Sequence, residues 1–192
     1  MSKRAVVVLS GGQDSTTCLY LAKSAGFECH AVTFDYDQRH NIEIDAARRV
    51  AKLAAVASHE IITLGPVLKG SSPLVSSNPL EQYRDYTVLP GGIEKTFVPM
   101  RNQLFLTIAA NRAFALQTNV VITGVCEEDY GGYPDCRRGF IDALEHACNL
   151  GTFADSGHGQ LLIKTPLMRW SKAETVRRAL LIAGCYEALA HT

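Results

Sequence analysis

The chain has 192 residues, 47% apolar and 20% charged, with 19 basic side chains matched by 19 acidic ones. That balance excludes a disordered chain, and the zero net charge leaves no basic excess for a broad nucleic-acid footprint. No apolar run approaches the ~20 residues of a membrane-spanning helix, while one core at this length buries roughly 70% of the unfolded chain's surface.

The opening Met1-Ser2-Lys3-Arg4 leads straight into Val6-Val7-Val8-Leu9, too short and too valine-rich for a signal peptide. The six cysteines (18, 29, 126, 136, 148 and 185) form no C-x-x-C pair and read as free thiols of a reducing compartment. The expectation is a single cytoplasmic domain over 1–192, bound to neither membrane nor nucleic acid. The basic pairs Arg48–Arg49, Arg137–Arg138 and Arg177–Arg178 read as solvated helix faces.

Taken in chain order, Ala5–Ser10 is an apolar run closed by Gly11-Gly12, the pattern of a strand buried on both faces. A helix follows over 15–25, with Gly26 as its left-handed stop. Cys29–Phe34 reads as the second strand, and 42–57 as a helix with Asn41 as N-cap. His59–Leu64 is a third strand. Residues 65–99 hold no period and cluster Gly, Pro and Ser, the mark of an irregular insertion that is either functional or mobile. A helix over 101–117 follows, with apolar positions 104, 105, 108, 109 and 115 mostly on one side. Val120–Thr123 and Leu161–Ile163 are short strands, and 137–150 is helical. Ser171 with Glu174 makes a capping box for a last helix that Gly184 ends. Alternating strands and helices specify an α/β fold, an open, mostly parallel sheet with helices on both faces.

The sharpest motif is Ser10-Gly11-Gly12-Gln13-Asp14-Ser15, between a buried strand and a helix. Two glycines allow a tight turn without Cβ atoms to block an approaching anion. The backbone N–H groups there, with the positive end of the helix dipole, make an anion site, and Ser10 and Ser15 add hydroxyls. Asp14 would repel a bare phosphate, so it reads as a helix cap or a partner of phosphate-bound Mg²⁺. No Gly-Lys-Ser/Thr follows, so this is not a Walker loop. The string is similar to the PP-loop of enzymes that cleave ATP between its α- and β-phosphates. The resemblance implies that Leu9, Ser10, Gly11, Gly12, Gln13, Asp14, Ser15, Thr16, Thr17, Cys18 and Leu19, with Thr33 and Phe34, hold the nucleotide.

Three further segments narrow the class. They are 33–40 (TFDYDQRH), 97–102 (FVPMRN) and 124–136 (GVCEEDYGGYPDC). The third suits a purine-like base: carboxylates accept from paired N–H donors and a tyrosine stacks on the ring. Glu127, Asp129 and Asp135 are the expected polar contacts, with Tyr130 or Tyr133 stacking. Arg101 sits at a helix start, where a cation is unfavourable unless it faces an anion, and Lys172 shares that oddity. Asp14, Arg101 and Lys172 are therefore the candidate catalytic residues. Arg39 and His40 read either as closing over the nucleotide or as part of a surface loop, whereas His146 and His158 read as structural or exposed.

Together with the loop, these segments resemble the 7-cyano-7-deazaguanine synthases of queuosine biosynthesis over practically the whole chain. The resemblance implies ATP and Mg²⁺, a small-molecule deazaguanine substrate and ammonia, and adenylation of first an acid and then an amide; a homodimer is admissible. It also implies a four-cysteine Zn²⁺ site near the C-terminus, whose ligands are absent: Cys185 stands alone before His191-Thr192, so the expectation is a truncated chain or a member without the metal. The rival reading is another PP-loop enzyme, such as a tRNA-modifying thiolase or lysidine synthetase. Zero net charge and the missing C-x-x-C speak against it. A nucleotide-binding module of the electron-transfer-flavoprotein kind would lack the intact loop.

Overall fold

A computed structural model describes residues 3–36, 42–69, 97–127 and 133–192. In these residues five strands, β1 (Lys3–Val8), β2 (Phe27–Asp35), β3 (Ser58–Thr63), β4 (Val120–Ile122) and β5 (Leu162–Lys164), form one sheet in the order β3-β2-β1-β4-β5. Every neighbouring pair is parallel. The expected α/β architecture is therefore present. β1 lies at the centre, and its alternate side chains enter two cores, as its unbroken apolar run requires. Ala5, Val7 and Leu9 face one core with Cys18, Leu19, Val50 and Cys185. Val6 faces the other with Leu106, Val121, Ile141 and Ile163.

The helices are α1 (Gln13–Ser24), α2 (Ile42–Leu53), α3 (Arg101–Ala115), α4 (Arg138–Cys148), α5 (Lys172–Ala179) and α6 (Cys185–Leu189). Gly26 turns at φ +81, the left-handed stop expected after α1. α2 ends four residues earlier than its pattern suggests, because the chain reverses at Ala55 (φ +47) to enter β3. On α3 the buried face is Leu106, Ala109, Ala110 and Ala113; Leu104, Phe105 and Ile108 are only half-buried, and Ala115 is exposed. α4 runs on into a wider π-type turn over Asn149–Phe153.

The single last helix expected from Ser171 to Gly184 is two helices. Ser171 does cap α5, its hydroxyl accepting from Glu174 N–H at 3.2 Å. The Glu174 carboxylate turns instead to Arg177 and Arg178. Gly184, at φ +76, caps the start of α6 rather than ending α5, and α6 buries Cys185 and Ala188 beside α1. His146 is exposed and the His158 ring packs edge-on against Phe114, as expected. None of the six cysteines is in a disulfide. Among the described residues no helix is long and apolar enough to cross a membrane. Asn41, Arg39, His40 and most of the 65–99 insertion lie outside the described residues.

Candidate active site

Where β1, β2 and β4 end, their following residues surround a cleft of ≈ 330 Å³. β1 delivers Leu9, Ser10, Asp14 and Ser15 to it; β2 delivers Phe34 and Tyr36; β4 delivers Thr123, Gly124 and Val125. Arg101, Asn102 and Phe105 of α3, Glu43 of α2, and Tyr133 and Cys136 complete the wall. Ligands of open parallel sheets sit in this position, beyond the carboxyl ends of the strands.

The loop after β1 is held by its own serines. Ser10 N–H donates to Ser15 Oγ (3.2 Å), Gly12 N–H donates to Ser10 Oγ (3.3 Å), and the Ser15 hydroxyl donates to Gly12 O (3.0 Å). The two hydroxyl oxygens lie 3.1 Å apart. The glycines have different jobs. Gly11 has φ +90, and a Cβ there would lie 2.4 Å from Glu43 O and 2.6 Å from Ala47 N. It is glycine because the loop packs on the backbone of α2, not to admit an anion. A Cβ on Gly12 would meet only Ser10 Oγ at 3.5 Å, so Gly12 is the position that leaves the anion side open.

Asp14, in the first turn of α1, forms an ion pair with Lys172, the first residue of α5. Two cation and anion candidates 158 residues apart in sequence thus meet beside the loop. Arg101 also lines the cleft, from the first turn of α3, which holds no acidic side chain of its own; the buried Asp135 carboxylate is close enough to feel its charge.

The rest of the nucleotide assignment divides. Phe34 forms the apolar floor, stacked on Phe105 with ring centroids 4.2 Å apart and planes 9° from parallel. Gln13 does not line this cleft; it borders a second groove with Val176, Leu180 and Tyr186. Thr16, Thr17, Cys18 and Leu19 are fully buried along α1. The Thr17 hydroxyl donates to Gln13 O, the Cys18 thiol contacts Thr123 O at 3.6 Å, and burial pushes that thiol's pKa far up. Thr33 is buried behind the loop, its hydroxyl donating to Leu9 O at 2.6 Å.

The base-binding segment is arranged differently from a row of free acceptors. Asp135 is 6% exposed, and its Oδ2 accepts from Asn102 N–H (3.2 Å), which caps α3. Asn102 Nδ2 donates in turn to Asp135 O (3.2 Å). Burial raises the Asp135 pKa, with the Asn102 amide and the Arg101 charge pulling it partly back. Glu127 Oε1 accepts from Arg138 N–H (2.7 Å) at the start of α4. Tyr133 lines the cleft and packs on Phe97, centroids 5.5 Å apart. Asp129 and Tyr130 lie outside the described residues. Phe105 and Thr123 were not among the expected site residues, and Asn102 and Gly124 entered only as members of the second and third segments, with no role given to either. Gly124 could have been singled out: it opens the third segment, and a Cβ there would press on Asp14 C and Ser15 N at 3.1 Å.

Among the described residues no set of three or more His, Cys, Asp or Glu could hold a metal ion. A Mg²⁺ carried by phosphate oxygens would find carboxylates on the cleft wall at Asp14 and Glu43. A four-thiolate zinc site does not fit the described residues.

A Ser-Gly-Gly-x-Asp-Ser loop at the mouth of a parallel sheet defines a PP-loop ATP pyrophosphatase. Within that class the chain belongs to the family of the queuosine biosynthesis protein QueC, whose sequence model matches residues 4–190. It is 53% identical over 182 residues to a 7-cyano-7-deazaguanine synthase from Gloeobacter violaceus, covering 95% of this chain and 77% of that one. Its fold is similar to that of a 4-thiouridine synthetase solved in an RNA complex with bound ATP (TM-score 0.59, 17% identity, 98% of this chain and 42% of that one). It also resembles the NH3-dependent NAD synthetase of Campylobacter jejuni (TM-score 0.53, 16% identity, 99% and 68%). At such identities these two likenesses concern the fold.

Proposed function

We propose that this chain converts 7-carboxy-7-deazaguanine and ammonia to 7-cyano-7-deazaguanine, consuming two ATP. The observation that carries the reading is the cleft itself. One continuous space joins an anion-binding loop, the Arg101 guanidinium and an aromatic wall of Phe34, Phe105 and Tyr133. ATP places its β- and γ-phosphates on the loop's amides at the N-terminus of α1, which makes pyrophosphate the leaving group. With ATP bound, Lys172 would reach its phosphate oxygens, and the freed Asp14 carboxylate would be available to hold a Mg²⁺ that accompanies the nucleotide. Bound Mg²⁺ offsets triphosphate charge at the α-phosphorus.

The substrate base stacks on the aromatic wall, and Arg101 orients its carboxylate toward the α-phosphorus. One carboxylate oxygen bonds to that phosphorus as pyrophosphate leaves, giving an acyl adenylate. Ammonia adds to the acyl carbon, AMP departs with that oxygen, and the extra protons pass to solvent, leaving the amide. The amide oxygen then repeats the attack on a second ATP. AMP departs again, the nitrogen loses its two protons, and the nitrile remains. Asp135 and Glu127 hold the first turns of α3 and α4 around the base, so they act on its binding through the walls they fix, and Asp129 and Tyr130 are assigned to its polar edge and face.

The test is isotopic. With substrate labelled by ¹⁸O in both carboxylate oxygens, each AMP carries one ¹⁸O and the product is the unlabelled nitrile, read by mass spectrometry. Label released as water would overturn the adenylate route.

A further inference from the structure

Leu9 and Ser10 share the peptide bond at which β1 leaves the sheet and the phosphate loop begins. Both ends of that peptide are tied. Its Ser10 N–H donates to Ser15 Oγ at 3.2 Å, and its Leu9 carbonyl accepts from the Thr33 hydroxyl at 2.6 Å. Thr33 Oγ also lies 2.8 Å from His59 Nε2. A hydroxyl has one proton, and a carbonyl can only accept, so the Thr33 proton belongs to Leu9 O. The short contact to His59 then requires a proton on Nε2, with imidazole donating and Thr33 accepting. Each bond in the series His59, Thr33, Leu9 has one possible direction.

The series crosses the sheet from its edge. His59 stands on β3 opposite Ala31 of β2, diagonal to Thr33, on the α2 side where Gly11 packs against the α2 backbone. Thr33 is 2% exposed, and neither it nor His59 lines the cleft. Burial, then the charge of Arg48, pushes the His59 pKa down and favours neutral imidazole. Protonation would leave the Nε2 proton in place, so the direction of the bond does not depend on the charge state. Chained hydrogen bonds polarise one another in a poorly solvated interior, so the donor at His59 strengthens the hold on Leu9 O.

We propose that His59 is a positioning residue for the ATP site, acting through Thr33 to fix the Leu9–Ser10 peptide and so the direction of the loop amides that receive the phosphates. Thr33 is part of that support rather than a nucleotide contact. The inference rests on the loop's assignment to ATP. A tilt of the first loop peptide would misdirect the amide row, and a misplacement of about 1 Å already costs oriented catalysis on the order of a hundredfold.

Thr33→Val keeps the side-chain shape and removes the hydroxyl; Thr33→Ser restores it. His59→Phe removes the donor, and His59→Gln returns an amide N–H near the Nε2 position. For Thr33→Val we expect about a tenfold rise in the ATP dissociation constant by calorimetry and in KM for ATP, with KM for the deazaguanine within twofold of the parent. His59→Phe should show a rise of about threefold to tenfold, and Ser and Gln should each recover most of the loss. ATP affinity unchanged in Thr33→Val or in His59→Phe would overturn the proposal. So would an equal loss of both substrates' affinities, or a lowered melting temperature as the only effect. Failure of the functional reading would look different, since the unaltered chain would then bind ATP and make no nitrile.

Discussion

Gly11 and Gly12 stand side by side and should respond oppositely to the same added methyl. Gly11→Ala must give up φ +90 or push Glu43 O and Ala47 N away from the new Cβ. Neither backbone atom is free to move, so the expected loss is at least about 2 kcal/mol, or roughly 4 °C or more in Tm. Gly12→Ala keeps φ −81 and meets only a hydroxyl at ordinary contact distance. It should fold with nearly unchanged Tm yet bind ATP more weakly, because its methyl enters the anion side of the loop. Paired thermal melts and ATP titrations check both; equal behaviour of the two variants would contradict the division of roles. Residue type alone could not have made that distinction. A sequence shows two adjacent glycines, whereas the reason for each lies 32 and more residues away in α2 or in open space. Asp135 and Glu127 teach a related lesson: their acidity is legible, but the helix ends that claim them lie 33 and 11 residues away and only the fold brings them together.

At the scale of elements, what could be read was what local physics decides. The run Val6-Val7-Val8-Leu9 is apolar at every position, and only a central parallel strand buries both of its faces. The errors fell where propensity and tertiary contact disagree. Ala54 and Ala55 favour helix, yet the chain must turn at Ala55 to place β3 beside β2. Leu180, Leu181 and Ile182 continue the pattern of α5, yet the chain breaks there so that Cys185 and Ala188 can pack against α1. The α5 start was legible because the cap is local. Ser171→Ala should cost about 1 kcal/mol, some 2–4 °C in Tm, through loss of the bond to Glu174 N–H. Lys172 follows the cap directly and reaches Asp14, so the same change should raise KM for ATP severalfold. A melt combined with initial rates measures both, and a lower Tm with unaltered KM would separate the cap from the site.

On the scale of the whole molecule, a five-stranded parallel sheet among the described residues carries the Ser10–Ser15 loop, and residues at the ends of β2 and β4 and the start of α3 line the same cleft. Proteins below 20% identity share this fold, and the sheet by itself does not specify a substrate. The proposed reaction requires one loop to adenylate twice. Nucleotide chromatography with phosphorus quantification, on a reaction of carboxy-deazaguanine, ATP and ammonium, tests it most directly. Two AMP and two pyrophosphate per nitrile, with no ADP, is the predicted result. ADP with inorganic phosphate, or one AMP per nitrile, would contradict it.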